Sequence, residues 1–181
     1  HCPSGSSEPV TCAAGYYTTA TGQSTCIDCP SGYYCLGDGQ APSECPAGSY
    51  CPTNTEYSNQ YVCPVGKYSA LTGLEAVGEC EDCAAGSYCP NFGSGVPEGL
   101  CSAGYFCGGG SSTATPADSY GYALSYVGDT CVNASKANTN DVCPVGHYCP
   151  EGSIAPTVCP PGTLSPSAGL TNVSSCPLCP G

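Results

Sequence analysis

The chain has 181 residues, of which nineteen are cysteine, and a formal net charge of −12 at pH 7. Only two residues are basic, Lys67 and Lys136, so the chain offers no basic face to a nucleic acid or an anionic membrane surface. A cysteine content above about one in ten indicates a disulfide scaffold. Because cytosolic glutathione would keep such thiols reduced, the composition predicts a secreted, extracellular or cell-surface protein.

A six-residue element, C-x-x-G-x-[YF], recurs along the chain. The glycine permits a turn that a side chain would forbid, and proline after the cysteine presets φ near about −65°. Each copy therefore predicts a turn from which the aromatic residue leaves at a fixed offset. Copies begin at Cys12, Cys29, Cys45, Cys63, Cys83, Cys101 and Cys143, with weaker copies at Cys2 and Cys159.

Two kinds of module alternate. A long module ends in C-x-x-C, and in a short module a cysteine directly follows the aromatic residue. This order predicts a partial module at 1–11, a block of three modules at 12–62, a second block of three at 63–142 with an insertion at 108–131, a short module at 143–158, a long module at 159–178 and the start of a further module at 179–181.

The predicted fold class is a tandem of small disulfide-rich modules with short β-hairpins, irregular loops and almost no helix, arranged as an elongated rod or solenoid-like array. Modules of about 20 residues cannot enclose a hydrophobic centre, so they have to pack on their neighbours. The chain begins and stops within modules. We expect either a piece of a longer array or copies that join head to tail, and a contact of the second kind generates an open filament.

The insertion contains SYGYALSYV, whose alternation predicts a short strand that carries Tyr120, Tyr122 and Tyr126. A disordered loop is the alternative. Tyrosine supplies a large amphipathic contact area at low entropic cost, so we interpret these three residues as assembly contacts. Two sequons, which begin at Asn133 and Asn172, predict N-glycans.

The residue patterns indicate no enzyme, no cofactor and no metal site. The C-x-x-C pairs lie inside turn repeats, so we favour disulfides over zinc, and they lack the βαβ context and the basic groups of a redox motif. His147 occupies a variable position of the element. The acidic residues Glu79, Glu81 and Asp82 lack the ligand spacing of a calcium loop and are interpreted as a solvated rim.

The element with its closing C-x-x-C resembles the ephrin-receptor-like cysteine-rich repeats, which belong to the growth-factor-receptor and tumour-necrosis-factor-receptor type of module. The resemblance covers almost the whole chain. Together with the spacing, it implies three bridges in the long modules: Cys12 with Cys26, Cys63 with Cys80 and Cys159 with Cys176. Pairing in the short modules stays open between bridges such as Cys29 with Cys35 and crossed pairs. The odd total leaves one cysteine without an internal partner, for which Cys2 and Cys179 are candidates.

Modules of this type occur in receptors, matrix proteins and surface coats, so the fold does not choose a function. We expect a structural extracellular protein that self-associates into a fibre, hair or matrix. The alternative is a receptor-type or secreted ectodomain that presents one face to a protein partner.

Overall fold

A computed structural model of the chain describes residues 1, 8, 10–20, 22–37, 39–117, 125–127, 130–132, 140–163, 165 and 167–178, with the side chains of 125–127 and 130–132 left out. The chain divides into two units. Unit 1 comprises His1–Asp82 and Asn91–Pro97, and unit 2 comprises Cys83–Pro90 and Glu98–Gly181.

The described residues form short strands and two 3₁₀ turns, Val77–Glu79 and Val173–Ser175, and contain no α-helix. No helix in these ranges could cross a membrane. The prediction of small disulfide-rich modules with short hairpins is confirmed. The strands are β1 Tyr16–Tyr17, β2 Ile27–Asp28, β3 Tyr33–Tyr34, β4 Ser43–Glu44, β5 Lys67–Tyr68, β6 Glu81–Asp82, β7 Ser87–Tyr88, β8 Gly99–Leu100, β9 Tyr105–Cys107, β10 Ser125–Val127, β11 Thr130–Val132, β12 Asn140–Val142, β13 His147–Tyr148 and β14 Thr157–Val158.

Each hairpin is antiparallel and has two strands. Unit 1 contains β1 with β2, β3 with β4 and β5 with β6, while unit 2 contains β7 with β8, β9 with β12, β10 with β11 and β13 with β14. The first strand of a module follows the C-x-x-G turn directly, and the second ends just before the next leading cysteine. Because β9 pairs with β12, the insertion lies between the two strands of the module that begins at Cys101.

Eight disulfides hold the described modules. In the short modules, each leading cysteine pairs with the cysteine six positions later, so the described bridges include no crossed pair. Cys2 and Cys179 lie outside the described residues, as does the side chain of Cys131. The bridges are Cys12–Cys26, Cys29–Cys35, Cys45–Cys51, Cys63–Cys80, Cys83–Cys89, Cys101–Cys107, Cys143–Cys149 and Cys159–Cys176.

The buried interior consists mainly of these bridges. All ten cysteines of the five short-module bridges are at most 2% exposed. Leu74 and Leu170 are the buried aliphatic residues larger than cysteine in the described ranges, and Leu74 forms a cluster with Cys63 and Cys80 against which Tyr50 packs. Disulfides therefore take the place that aliphatic side chains occupy in an ordinary domain.

Candidate functional site

The modules are joined by a recurring seam of backbone hydrogen bonds. At the seam between the modules that begin at Cys29 and Cys45, four backbone N–H groups each donate to a carbonyl of the other module. No side chain takes part. The four bonds are Cys45 N to Gly32 O (2.9 Å), Gly32 N to Cys51 O (2.8 Å), Cys35 N to Thr55 O (3.0 Å) and Asn54 N to Cys29 O (2.9 Å).

The same four bonds recur between the modules that begin at Cys45 and Cys63, at Cys83 and Cys101, and at Cys101 and Cys143. Their recurrence explains why the residues between Cys, Gly and Tyr vary, since the seam needs only backbone geometry. In unit 2 the modules that begin at Cys101 and Cys143 are joined by Cys143 N to Gly104 O (2.8 Å), Gly104 N to Cys149 O (2.8 Å), Cys107 N to Ser153 O (2.9 Å) and Gly152 N to Cys101 O (2.8 Å).

Each seam needs a residue in the left-handed backbone region nine or ten positions after the leading cysteine. Gly73 (φ 73°) and Gly152 (φ 74°) serve this role in two seams. Asn54 takes the equivalent position with φ 63°, and it is the one described residue other than glycine with positive φ. Asparagine tolerates this region better than other side chains do. Its Nδ2 also donates to Asp28 Oδ1 at 3.2 Å.

The left-handed residue also contacts the module two places earlier. A Cβ built on Gly15 would lie 2.8 Å from Asn54 O, and one built on Gly104 would lie 2.7 Å from Gly169 O. A real Cβ does not approach a backbone oxygen so closely. The glycine of the element therefore has two roles. It permits the turn, and it leaves room for the backbone of the module two places later in the chain.

The exposed faces of the hairpins differ between the units. In unit 1 the cross-strand pairs include Tyr16 with Asp28 and Lys67 with Asp82, and Lys67 Nζ donates to Asp82 Oδ1 at 2.6 Å. Tyr68 pairs with Glu81 across the same hairpin. The hydrogen bond between their side chains raises the pKa of the Tyr68 phenol.

Unit 2 presents pairs without a carboxylate at the equivalent positions, such as Ser87 with Leu100 and His147 with Val158. Leu100 is 55% exposed and Val158 is 66% exposed. In unit 2, the residue directly before each of the leading cysteines Cys101 and Cys159 is therefore apolar and exposed to solvent.

The acidic residues near Cys80 make local contacts. Glu79 Oε2 accepts from the backbone N–H of Glu75 at 2.8 Å, and Asp82 pairs with Lys67. These contacts use the carboxylates to close a turn and to pair two strands. They suit the interpretation of this segment as a solvated rim.

One group of potential metal-binding atoms lies close together in the described ranges, at His1, Cys12 and Cys26. His1 Nδ1 is 3.1 Å from Cys26 Sγ and 4.0 Å from Cys12 Sγ. The two sulfurs are bonded to each other, and a disulfide sulfur is not the thiolate that binds a metal. No residue pattern indicates this arrangement, because His1 lies eleven positions before Cys12 and 25 before Cys26.

The predicted assembly contacts lie largely beyond the described ranges. Tyr120 and Tyr122 are outside them, and Tyr126 belongs to β10 with its side chain left out of the description. Asn133 is outside them as well. The role of these tyrosines as assembly contacts therefore stays a prediction.

Asn172 is exposed and immediately precedes the 3₁₀ turn Val173–Ser175. Its Oδ1 accepts from the backbone N–H of Ser175 at 3.1 Å and from the hydroxyl of Ser174, the third residue of the sequon, at 2.6 Å. The Asn172 amide therefore caps the turn. The exposure of the residue leaves space for a glycan.

Comparison with protein-family models and with curated proteins finds no match for the chain. The chain is a cysteine-rich repeat protein by its own geometry, and its composition suits an extracellular location.

Proposed function

We propose that the chain is a non-catalytic structural protein of the extracellular space, whose stacked modules form or coat a fibre, hair or matrix. The recurring backbone seam carries this proposal. It repeats along the chain without depending on particular side chains, so further modules could be added by the same contacts. The ephrin-receptor-like type of repeat, a rod-like arrangement and self-association belong to the proposal.

The bridges support a protective role in such a material. Each short-module disulfide is buried, so an external reductant has little access to its sulfurs. Carbohydrate would add to this protection. The proposal includes N-glycans at Asn133 and Asn172.

Microscopy of native material under non-reducing conditions tests the proposed assembly. We expect regular filaments, and a variant with Tyr120, Tyr122 and Tyr126 all changed to Ser should keep its disulfides but lose the filaments, because the contact area is removed. The seams need none of these side chains, so the modules should still fold. Discrete particles of single-chain mass in native material would contradict the structural proposal.

A receptor-type or secreted ectodomain is the second candidate. The observation that favours it is the insertion between β9 and β12, because it interrupts the hairpin of one module with a further hairpin, β10 with β11. An added hairpin of this kind can present a face to a protein partner. Discrete particles in the microscopy experiment would favour this candidate.

Asn172 should carry an N-glycan in native material, since the sequon is exposed. Peptide mapping after enzymatic deglycosylation should find aspartate at this position. A Ser174→Ala variant is the matched control, because it removes the sequon and keeps the bond from Ser175 N to Asn172 Oδ1 that caps the turn. Unmodified asparagine at position 172 in native material would contradict this prediction.

A further inference from the structure

The disulfide Cys12–Cys26 differs from the buried short-module bridges in its access to solvent, and from every other described bridge in its neighbour. Cys26 is half-buried and lines an open cavity of about 540 Å³, together with His1, Ala13, Tyr16 and the 24–25 segment. Cys12 is 6% exposed. A thiol that enters this cavity therefore reaches Cys26 in preference to Cys12.

An imidazole lies against this bridge. The His1 backbone nitrogen donates to Val10 O at 2.7 Å, and Val10 N donates to His1 O at 2.8 Å, so two reciprocal bonds hold His1 beside the segment that leads into Cys12. This pairing places His1 Nδ1 3.1 Å from Cys26 Sγ and 4.0 Å from Cys12 Sγ. No other described disulfide has a histidine nitrogen at hydrogen-bonding distance.

A cation beside a sulfur stabilises its thiolate, and a thiol with a lower pKa leaves faster in disulfide exchange. A protonated imidazole next to a bridge is therefore an arrangement that promotes its opening. The buried bridges of the short modules combine no such group with access to solvent.

We propose that Cys12–Cys26 is an exchange site through which the chain becomes covalently joined to a second copy of itself. The incoming thiolate of the second copy attacks Cys26 Sγ, and a new disulfide forms between them. The bond from Cys26 Sγ to Cys12 Sγ breaks, and its electron pair passes to Cys12. The His1 imidazolium then gives its Nδ1 proton to the Cys12 thiolate. One disulfide is consumed and one is formed, so no oxidant is required.

The second copy comes from the proposed self-association, on which this inference rests. Nineteen cysteines cannot all pair within these 181 residues, and the eight bridges use sixteen of them. Each copy therefore brings at least one cysteine that cannot be bridged inside the same 181 residues. The inference deepens the proposed self-association by adding a covalent step to it.

The rate of opening by glutathione tests the exchange chemistry. The oxidised chain is incubated with limiting reduced glutathione, quenched with N-ethylmaleimide and mapped by peptide mass. A leaving thiol of lower pKa leaves faster in the exchange. We therefore expect Cys12–Cys26 to open about tenfold faster than Cys159–Cys176, another long-module bridge with one half-buried cysteine, with glutathione attached to Cys26.

His1→Gln should remove most of this advantage, and Tyr16→Phe, which changes another group that lines the cavity, should keep it. Equal opening rates at the two bridges, glutathione on Cys12, or an unchanged rate in His1→Gln would overturn the proposed chemistry.

The second copy is tested by mixing two differently tagged versions of the chain under non-reducing conditions. We expect interchain peptides that contain Cys26, and their loss in His1→Gln. Two outcomes would overturn the inference. In one, the interchain linkages never include Cys26; in the other, Cys26 reacts with glutathione but never with a second chain. Filaments without Cys26 linkages would leave the proposed function intact, whereas Cys26 linkages without filaments would reject the fibre and keep the exchange site.

Discussion

Gly104→Ala should prevent the 181-residue chain from recovering its native set of disulfides, because the new Cβ would lie 2.7 Å from Gly169 O. That oxygen cannot move away easily, since Gly169 N donates to Cys143 O at 2.7 Å. The clash is relieved only if seam bonds break. The alanine also strains the left-handed backbone at position 104. We expect a loss of more than about 4 kcal/mol in the free energy of unfolding, in the range that marks a severe structural change.

Gly146→Ala is the matched control, because Gly146 has the same position in its element and nearly the same φ, +83° against +87° for Gly104. No described atom lies within 4 Å of a Cβ built on Gly146. Its cost should be limited to the left-handed backbone strain, about 1–2 kcal/mol. Oxidative refolding yields and denaturation of the oxidised proteins measure the difference. Equal behaviour of the two variants would contradict the contact between a module and the next but one.

Leu74→Ala should lower the free energy of unfolding by about 2–3 kcal/mol, which is typical of a buried leucine whose cavity is only partly refilled. Leu74 is 5% exposed and packs with Cys63, Cys80 and Tyr50. Its carbonyl accepts from Cys51 N, and the substitution keeps this bond. The loss therefore measures side-chain packing rather than the seam.

Leu71→Ala in the same module is the control, because Leu71 is 67% exposed. It should change the free energy of unfolding by less than about 0.5 kcal/mol. Chemical denaturation of both variants in their oxidised form gives the comparison. A similar small loss in both would mean that the disulfides need no aliphatic partner at all.

The hairpin modules could be predicted from the sequence because Cys, Gly and Tyr stand at fixed spacing and each has a local role in the turn. The pairing of Cys29 with Cys35 could not, since the distance between sulfurs depends on how the turn folds. The role of Asn54 was also hidden. Its N–H reaches a carbonyl of the preceding module from a left-handed φ, at a position where the other seams have glycine. In a chain with 25 glycines, no residue pattern marks this asparagine as their equivalent.

The candidate site was harder to predict than the fold. Tyr120, Tyr122 and Tyr126 lie close together in the sequence and away from the turns, and their role as assembly contacts remains a prediction. The seam could not be found by a search for reactive side chains, because it consists of backbone groups. The contact of His1 with Cys26 depends on the pairing of His1 with Val10, which no spacing rule indicates.

Hydrogen exchange of the backbone amides tests most directly the central claim that seams and disulfides together replace a hydrophobic core. The N–H groups of Gly32, Cys35, Gly104 and Cys107 donate across module boundaries. In the oxidised protein they should exchange slowly, and reduction of the disulfides should remove their protection, because the described residues bury little besides the cysteines. If these amides exchange in the oxidised protein as fast as in an unstructured peptide, backbone hydrogen bonds do not join the modules.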